Sequence, residues 1–492
     1  MSSPLHLACS KVGPMRRKTK IIATLGPATE SPEAIHKLIE RGMNVARFNF
    51  SHGSHADHER RFGIVRQCAS DVDRPIAIMQ DIQGPKIRVG TFPGGAVELV
   101  EGSTLRLHAG DGVGDAENVH IAYLECVEMS VGGTIYLADG LIELEATVVD
   151  DDGVTATVVQ AGELLEHKGA SFPGARTSIP AVTDKDVEDL EFGLGLGFDL
   201  IAASFVNSGS DIRSVREIVA ERPIIAKIET AVGYMNLDDV LEEADGAMVA
   251  RGDLGVELSL ESVPRAQYEI IHRANVAGKI SITATEMLES MISSPRPTRA
   301  EVTDVYRSVL DGTDAVMLSA ETAIGEFPTR AVKVMASICA EAERSPSFGR
   351  AKDVSNLSEG GAFASATAEA SVDTADRLGL DTIVAFSESG TTARLISKYR
   401  SKADVYAFTP IVRTFRQMAI YGGVRPMLIE RVHSTDEMIA AAETELLRRG
   451  LVEKGDGLVM VAGVPPNQSA STNLMKLHEV GSGDVLHPAS ET

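Results

Sequence analysis

The chain has 492 residues, 43% of them hydrophobic, and a formal charge of −23 at pH 7. That length exceeds what one hydrophobic core serves, so two or three domains are expected, and the acidic balance disfavours nucleic acid as a partner. No apolar run reaches the length of a membrane span and nothing resembles a signal peptide, so no membrane association is expected. Four cysteines, Cys9, Cys68, Cys126 and Cys339, stand far apart without a CxxC pair. This pattern fits a reducing, cytoplasmic setting, and neither a disulfide framework nor a zinc site.

Residues 1–14, "MSSPLHLACSKVGP", carry no periodicity and read as a disordered tail. Eight short apolar runs rich in Val, Ile and Ala follow, each closing on a polar or charged residue: "KIIATLG", "NVARFNF", "PIAIMQD", "DLIAASF", "PIIAKIE", "GAMVARGD", "SITATEM" and "DAVMLSAET". Amphipathic stretches such as "SPEAIHKLIERG" and "SDIRSVREIVAER" lie between them. Eight buried strands alternating with helices predict a (β/α)8 barrel, with an open doubly wound sheet as the alternative. Arg47, Asn49, Asp81, Lys227, Glu229, Arg251, Asp253, Thr285 and Glu321 all fall at or just past strand ends. In a barrel those ends converge on one face, which favours the closed form.

The rhythm breaks after "PIAIMQD", where far more chain intervenes than one crossover helix needs. That text, including "AVELVEGSTLRLHAG" and "GGTIYLADGLIELEATVVDDDGVTATVVQAGELL", alternates at period two with Gly and Asp turns. It reads as a small antiparallel β domain, a lid over the catalytic face. After "ERSPSFGRAKDVSN" a separate α/β unit begins, with candidate strands "DTIVAF", "ADVYAFT", "VRPMLIE" and "GLVMVAG".

Lys227 and Glu229 stand two apart on one strand and so point the same way, while Asp253 follows one strand later. Two neighbouring carboxylates beside a lysine suit a hard divalent ion that keeps waters and binds substrate oxygens; a structural salt bridge fits the same spacing. Glycines in Arg251-Gly252-Asp253-Leu254-Gly255 leave backbone N–H groups free for an anion, or serve as a helix cap.

The blocks "TKIIATLGPAT", "GMNVARFNFSHG", "DIQGPKIR", "IIAKIET", "ARGDLGVE", "TATEMLESM", "PTRAEVTDV" and "LDGTDAVMLSAETAIGEFP" closely resemble the signature blocks of pyruvate kinase, over about Arg16 to Gly481. The resemblance implies a catalytic barrel at 15–84 and 181–346, an inserted β-barrel lid at 85–180, a regulatory α/β domain at 347–486, and a homotetramer. It implies phosphoryl transfer from phosphoenolpyruvate to ADP, giving pyruvate and ATP in glycolysis, with Mg²⁺ (or Mn²⁺) on Glu229 and Asp253. Lys227 becomes the principal catalytic residue and Arg47 the phosphate grip. Gly252, Asp253 and Thr285 receive the substrate carboxylate, with Thr285 also near the site of proton delivery. Asn49, His52, Arg88 and Lys168 fall on the nucleotide side. A barrel lyase that uses Mg²⁺ to stabilise a pyruvate enolate is the rival reading.

Several positions depart from the family's commonest pattern. Glu286 replaces a glutamine after the threonine, and a usual Asp-Asp-Gly in the lid reads Ala138-Asp139-Gly140. Lys86 follows the Gly-Pro where glutamate is usual, and Ile82 replaces a threonine that helps bind K⁺. These last two changes predict that Lys86 substitutes for the monovalent cation, so that K⁺ is not required. In the C-terminal unit, "SESGTTAR" offers Ser387, Ser389, Gly390, Thr391 and Thr392 as a cradle for an effector phosphate. The turn carries Glu388, and the covering stretch "GVPPNQSASTN" has neither lysine nor arginine. A monophosphate effector, a sugar phosphate or AMP, is therefore expected.

Overall fold

The computed structural model describes residues 17–349, 361–464 and 472–482. The expected N-terminal tail, Cys9 and most of the stretch expected to cover the effector turn lie outside the described residues. All eight predicted runs become strands: Lys20–Thr24, Val45–Asn49, Ala77–Asp81, Leu200–Ala203, Ile224–Ile228, Gly246–Ala250, Ile280–Ala284 and Ala315–Leu318. They pair in parallel in chain order, and the eighth pairs with the first, so the sheet is a closed barrel and the open alternative fails. Almost every residue in them is buried, which is why they read as continuous apolar runs; helices cover the outside of the barrel while side chains fill its interior.

The first connection shows how the sequence brings each strand back to the same end. Helix Pro32–Arg41 starts at Ser31, whose side chain accepts the Ala34 N–H, and stops at Gly42, where φ is +117°. A serine N-cap and a left-handed glycine terminate a helix at both ends without unsatisfied backbone groups. The chain then enters the second strand in the same direction as the first.

The insertion after the third barrel strand forms a six-stranded sheet in the order Ala170–Ser171, Thr134–Leu137, Ile142–Asp150, Gly153–Gln160, Thr104–Ala109, Asn118–Ile121. Bridges from Arg88 to Gly169 and from Val89 to Ile121 join the two outer edges, so the sheet curls toward closure around its own apolar core. One pairing departs from the antiparallel expectation: Thr104–Ala109 and Asn118–Ile121 run parallel.

The C-terminal unit is a five-stranded sheet, ordered Val424–Leu428, Asp404–Thr409, Thr382–Phe386, Gly457–Ala462, Leu474–Glu479. The first four are the predicted strands; the antiparallel edge strand is an addition. This unit docks on the N-terminal ends of the barrel strands. Lys398 pairs with Asp314 just before the eighth strand, Arg400 lies 3.0 Å from the same carboxylate, and Lys20 Nζ donates to the Val424 carbonyl. Burial pushes Lys398 down to about 8, with Asp314 opposing the shift. Removing one partner of such a buried pair costs about 3–5 kcal/mol. The opposite ends of the barrel are thereby left to face the lid.

Candidate active site at the lid end of the barrel

The first five barrel strands converge on one buried ion cluster. Arg47 Nε donates to Asp81 Oδ2 at 2.6 Å and Arg47 Nη1 to Thr24 Oγ1 at 2.9 Å. Lys227 Nζ lies 3.1 Å from Asp81 Oδ1 and 3.0 Å from Glu229 Oε1, and donates to Ser204 Oγ at 2.6 Å. Burial alone would push the Lys227 ammonium down, but Asp81 and Glu229 outweigh it and hold the group above its ordinary value. Burial likewise opposes ionisation of Asp81, yet Arg47 and Lys227 keep its carboxyl below the usual range. Glu229 goes the other way: burial pushes it up, Lys227 offsets part of the rise, and Asp253 adds to it. Its second oxygen accepts the Phe205 N–H at 2.7 Å.

The sixth and seventh strands supply the next group. Gly252 N donates to Thr285 Oγ1 at 2.9 Å, and the same hydroxyl donates to the Ala284 carbonyl at 2.8 Å. Asp253 Oδ1 accepts from Lys86 Nζ at 2.9 Å; that ammonium also lies 3.9 Å from Asp139 and 5.8 Å from the centre of the Phe205 ring. Lys86 therefore reaches into the acidic pocket. The carboxylate it meets is Asp253, whereas Asp81 is already shared by Arg47 and Lys227. Ile82 is 1% exposed and packs into the barrel core, offering no oxygen to a cation.

A cavity of about 230 Å³ separates lid from barrel here; Glu229, Asp253, Glu257 and Asp139 line it, and among the described residues Lys86 is the one cation in its lining. Burial pushes Glu257 up to about 7, with the Ala231 N–H opposing and Asp253 adding to the rise. Surplus carboxylate in this pocket calls for a cation. Glu229 and Asp253 are two hard oxygen donors that fit a divalent ion. Among the described residues no group of three or more His, Cys, Asp or Glu side chains forms a full metal cage.

The four residues of the predicted nucleotide side form two pairs. In the lid, Arg88 Nη1 donates to the His167 carbonyl at 2.9 Å, and the next residue, Val89, donates its N–H to the Lys168 carbonyl at 2.9 Å. In the barrel, Asn49 Oδ1 accepts the Ser51 N–H and the Asn49 carbonyl accepts the His52 N–H. No hydrogen bond or ion pair among the described residues joins one pair to the other. At the effector turn, Gly390 N donates to Ser387 Oγ at 2.9 Å, and the hydroxyls of Ser389 and Thr391 lie 3.0 Å apart. Gly390 has φ of +87° and a Cβ there would press on Met418, Tyr421 and Thr414, so glycine is required twice over. The Thr392 hydroxyl turns away to Thr472 at 2.7 Å.

Sequence reasoning missed Thr24 and Ser204, the hydroxyls that orient Arg47 and Lys227. It also missed Arg431, 3.2 Å from Glu388 beside the effector turn. Glu321, one of the strand-end acids, proves to be a structural tie: its two oxygens accept the Leu288 and Ser319 N–H groups.

The chain matches the family model "Pyruvate kinase, barrel domain" over residues 16–332 and "Pyruvate kinase, alpha/beta domain" over residues 365–478. It is 43% identical over 474 residues to a pyruvate kinase of Geobacillus stearothermophilus, which covers 95% of this chain and 81% of that one. To a pyruvate kinase of Staphylococcus aureus (strain MRSA252) it is 43% identical over 473 residues, 94% of this chain and 81% of that one. The crystal structure of a pyruvate kinase from Cryptosporidium parvum superposes with a TM-score of 0.88 at 38% identity, covering 94% of this chain and 96% of that one. Barrel, inserted sheet, C-terminal unit and these similarities agree: the chain belongs to the pyruvate kinase family.

Proposed function

We propose that this protein transfers the phosphoryl group of phosphoenolpyruvate to ADP in the presence of Mg²⁺ (or Mn²⁺), giving pyruvate and ATP in glycolysis. The observation that carries the reading is the Lys227 ammonium, buried between Asp81 and Glu229 at the end of a barrel strand. Charge in such a transfer spreads over the equatorial phosphoryl oxygens and appears on the enolate oxygen left behind, and a desolvated ammonium stabilises both. Arg47 grips the phosphate. Glu229 and Asp253 would hold a divalent ion, which would supply Lewis-acid chemistry beside Lys227. The Gly252 and Asp253 N–H groups and the Thr285 hydroxyl take the carboxylate, so that Gly252 exchanges the Thr285 oxygen for a substrate oxygen. Protonation of the enolate proceeds near Thr285 through water, because a threonine hydroxyl alone is too weak an acid. Asn49, His52, Arg88 and Lys168 receive the nucleotide beneath the lid.

A Mg²⁺-dependent lyase acting through a pyruvate enolate shares the metal and the lysine, but has no use for a nucleotide lid bearing Arg88 and Lys168. A coupled assay decides: ATP formed from phosphoenolpyruvate, ADP and Mg²⁺ supports the kinase. Pyruvate released at a rate independent of ADP supports the lyase.

Lys86 takes the place of K⁺. A fixed ammonium in an acidic pocket can help bring two anionic substrates together, and Ile82 withdraws an oxygen that a K⁺ ion would use. Substantial activity is expected in K⁺-free buffer, with K⁺ dependence and lower activity appearing in Lys86→Glu paired with Ile82→Thr. A gain of tenfold or more from K⁺ in the unmodified enzyme, about 1.4 kcal/mol of barrier, would show that the lysine does not replace the ion.

The turn Ser387–Thr392 receives the phosphate of a sugar monophosphate or AMP. Glu388 beside it disfavours a second phosphate, and Arg431, held against Glu388, partly screens that charge. Activation by ribose 5-phosphate or AMP is expected; strong activation by fructose 1,6-bisphosphate alone would reverse the choice. The working assembly is a cytoplasmic homotetramer, and light scattering should return the mass of four chains rather than one. No helix among the described residues is long and apolar enough to cross a membrane, and the acidic charge gives nucleic acid no purchase.

A further inference from the structure

Thr285 and Glu286 are consecutive non-glycine residues in the left-handed region, with φ of +60° and +52°. For a β-branched threonine that conformation is an outlier, and it persists only where surrounding groups enforce it. The enforcing group is Arg251, 8% exposed. Its Nη2 donates to the Thr285 carbonyl at 2.6 Å and the Glu286 carbonyl at 3.0 Å, and its Nε to the Thr285 and Ala284 carbonyls at 3.1 and 3.2 Å. The third nitrogen, Nη1, is held by both oxygens of Asp304 at 2.7 and 2.6 Å. A planar fork with five donors can grip three successive carbonyls while itself being locked; a lysine cannot. Arg251 also immediately precedes Gly252, whose N–H meets the Thr285 hydroxyl. One residue thus fixes both halves of that contact, its backbone setting the donor and its side chain the acceptor. The grip is on the Glu286 carbonyl, and the Glu286 side chain is exposed, so an acid there in place of glutamine leaves the clamp intact.

We propose that Arg251, locked by Asp304, is the positioning residue for Thr285, holding the left-handed Thr285–Glu286 turn so that the threonine hydroxyl stays beside Gly252, where both can meet the substrate carboxylate. The proposal rests on the reading of this site as a pyruvate kinase centre. Its test is a double-mutant cycle between Arg251→Lys and Thr285→Val, read both by ATP formation and by exchange of pyruvate methyl protons with deuterated solvent, which reports the proton-delivery half alone. Displacing a reacting group by about 1 Å costs on the order of 100-fold, so Arg251→Lys should lower kcat and methyl exchange by about that factor. Added to Thr285→Val, it should cost less than about threefold more, because the hydroxyl it positions is already gone. Asp304→Asn loosens the fork from outside the substrate pocket and should act in the same direction, non-additively with Thr285→Val; it carries the test if Arg251→Lys folds poorly. Losses that multiply in full, or methyl exchange that survives in Arg251→Lys and Asp304→Asn, would overturn the positioning role. ATP formation by the unmodified enzyme is scored separately, so failure of the cycle and failure of the functional reading remain distinct.

Discussion

Lys227→Met is expected to lower kcat by about 10³-fold, at the upper end of what loss of one preorganised oxyanion donor costs, because the donor here is a full charge at a buried position. Arg47 still holds the phosphate and is still anchored by Asp81 and Thr24, so KM for phosphoenolpyruvate should change much less. The substitution also leaves Glu229 without its cation. Breaking a buried pair costs about 3–5 kcal/mol, and a fall in Tm should accompany the lost activity. Two controls separate chemistry from damage. Lys227→Arg retains a positive charge and should recover most of the stability but little of the rate, since a planar fork cannot occupy the place of a point charge. Mn²⁺ affinity, measured by electron paramagnetic resonance, should be unchanged or tighter in Lys227→Met, because an ammonium no longer competes for Glu229. A variant that keeps near-normal kcat would remove Lys227 from the chemistry.

Asp253→Asn is the second large effect. Asp253 is the more exposed of the two proposed metal ligands, and its side chain meets Lys86 from the lid. Changing a residue that only hydrogen-bonds to a metal ligand already costs about 10–100-fold in affinity. Loss of a ligand charge should therefore weaken Mn²⁺ binding by at least about 100-fold and reduce kcat/KM in parallel. Stability should change little, since the carboxylate is partly exposed and its ion pair with Lys86 has the small worth of a solvated bridge. Raising Mg²⁺ should recover part of the activity of Asp253→Asn and none of that of Lys227→Met. Equal Mn²⁺ affinity in Asp253→Asn and the unmodified protein would show that the metal binds elsewhere.

The barrel was legible because each strand is buried on both faces and so writes itself as an unbroken Val/Ile/Ala run ending in a polar residue. The edge strand Leu474–Glu479 was not, because half of it faces solvent and its signal, "LMKLHE", is a mixed alternation without flanking helices. The parallel pairing of Thr104–Ala109 with Asn118–Ile121 was hidden as well, since period two gives the face of a strand and not the direction of its neighbour. At the site, Lys227, Glu229, Asp253 and Arg47 stand out as charges at the ends of apolar runs. Ser204 and Thr24 do not, because a hydroxyl at a strand end is ordinary until the barrel closes and sets it beside Lys227 or Arg47. Glu321 shows the converse failure: an acid at a strand end looked chemical, yet it satisfies two backbone N–H groups. The contact between Lys86 and Asp253 joins residues 167 positions apart, across the lid and the barrel, and no local pattern announces it.

In the proposed reaction the phosphoryl group passes directly from phosphoenolpyruvate to ADP at the buried cluster of Arg47, Asp81, Lys227 and Glu229. Rapid-quench analysis of a single turnover, with phosphoenolpyruvate labelled in its phosphoryl group and Mg²⁺-ADP in K⁺-free buffer, tests it most directly. Label should appear in ATP in step with pyruvate, and Lys227→Met should slow this step without diverting the label. Label appearing first in inorganic phosphate, or pyruvate forming without ATP, would contradict it.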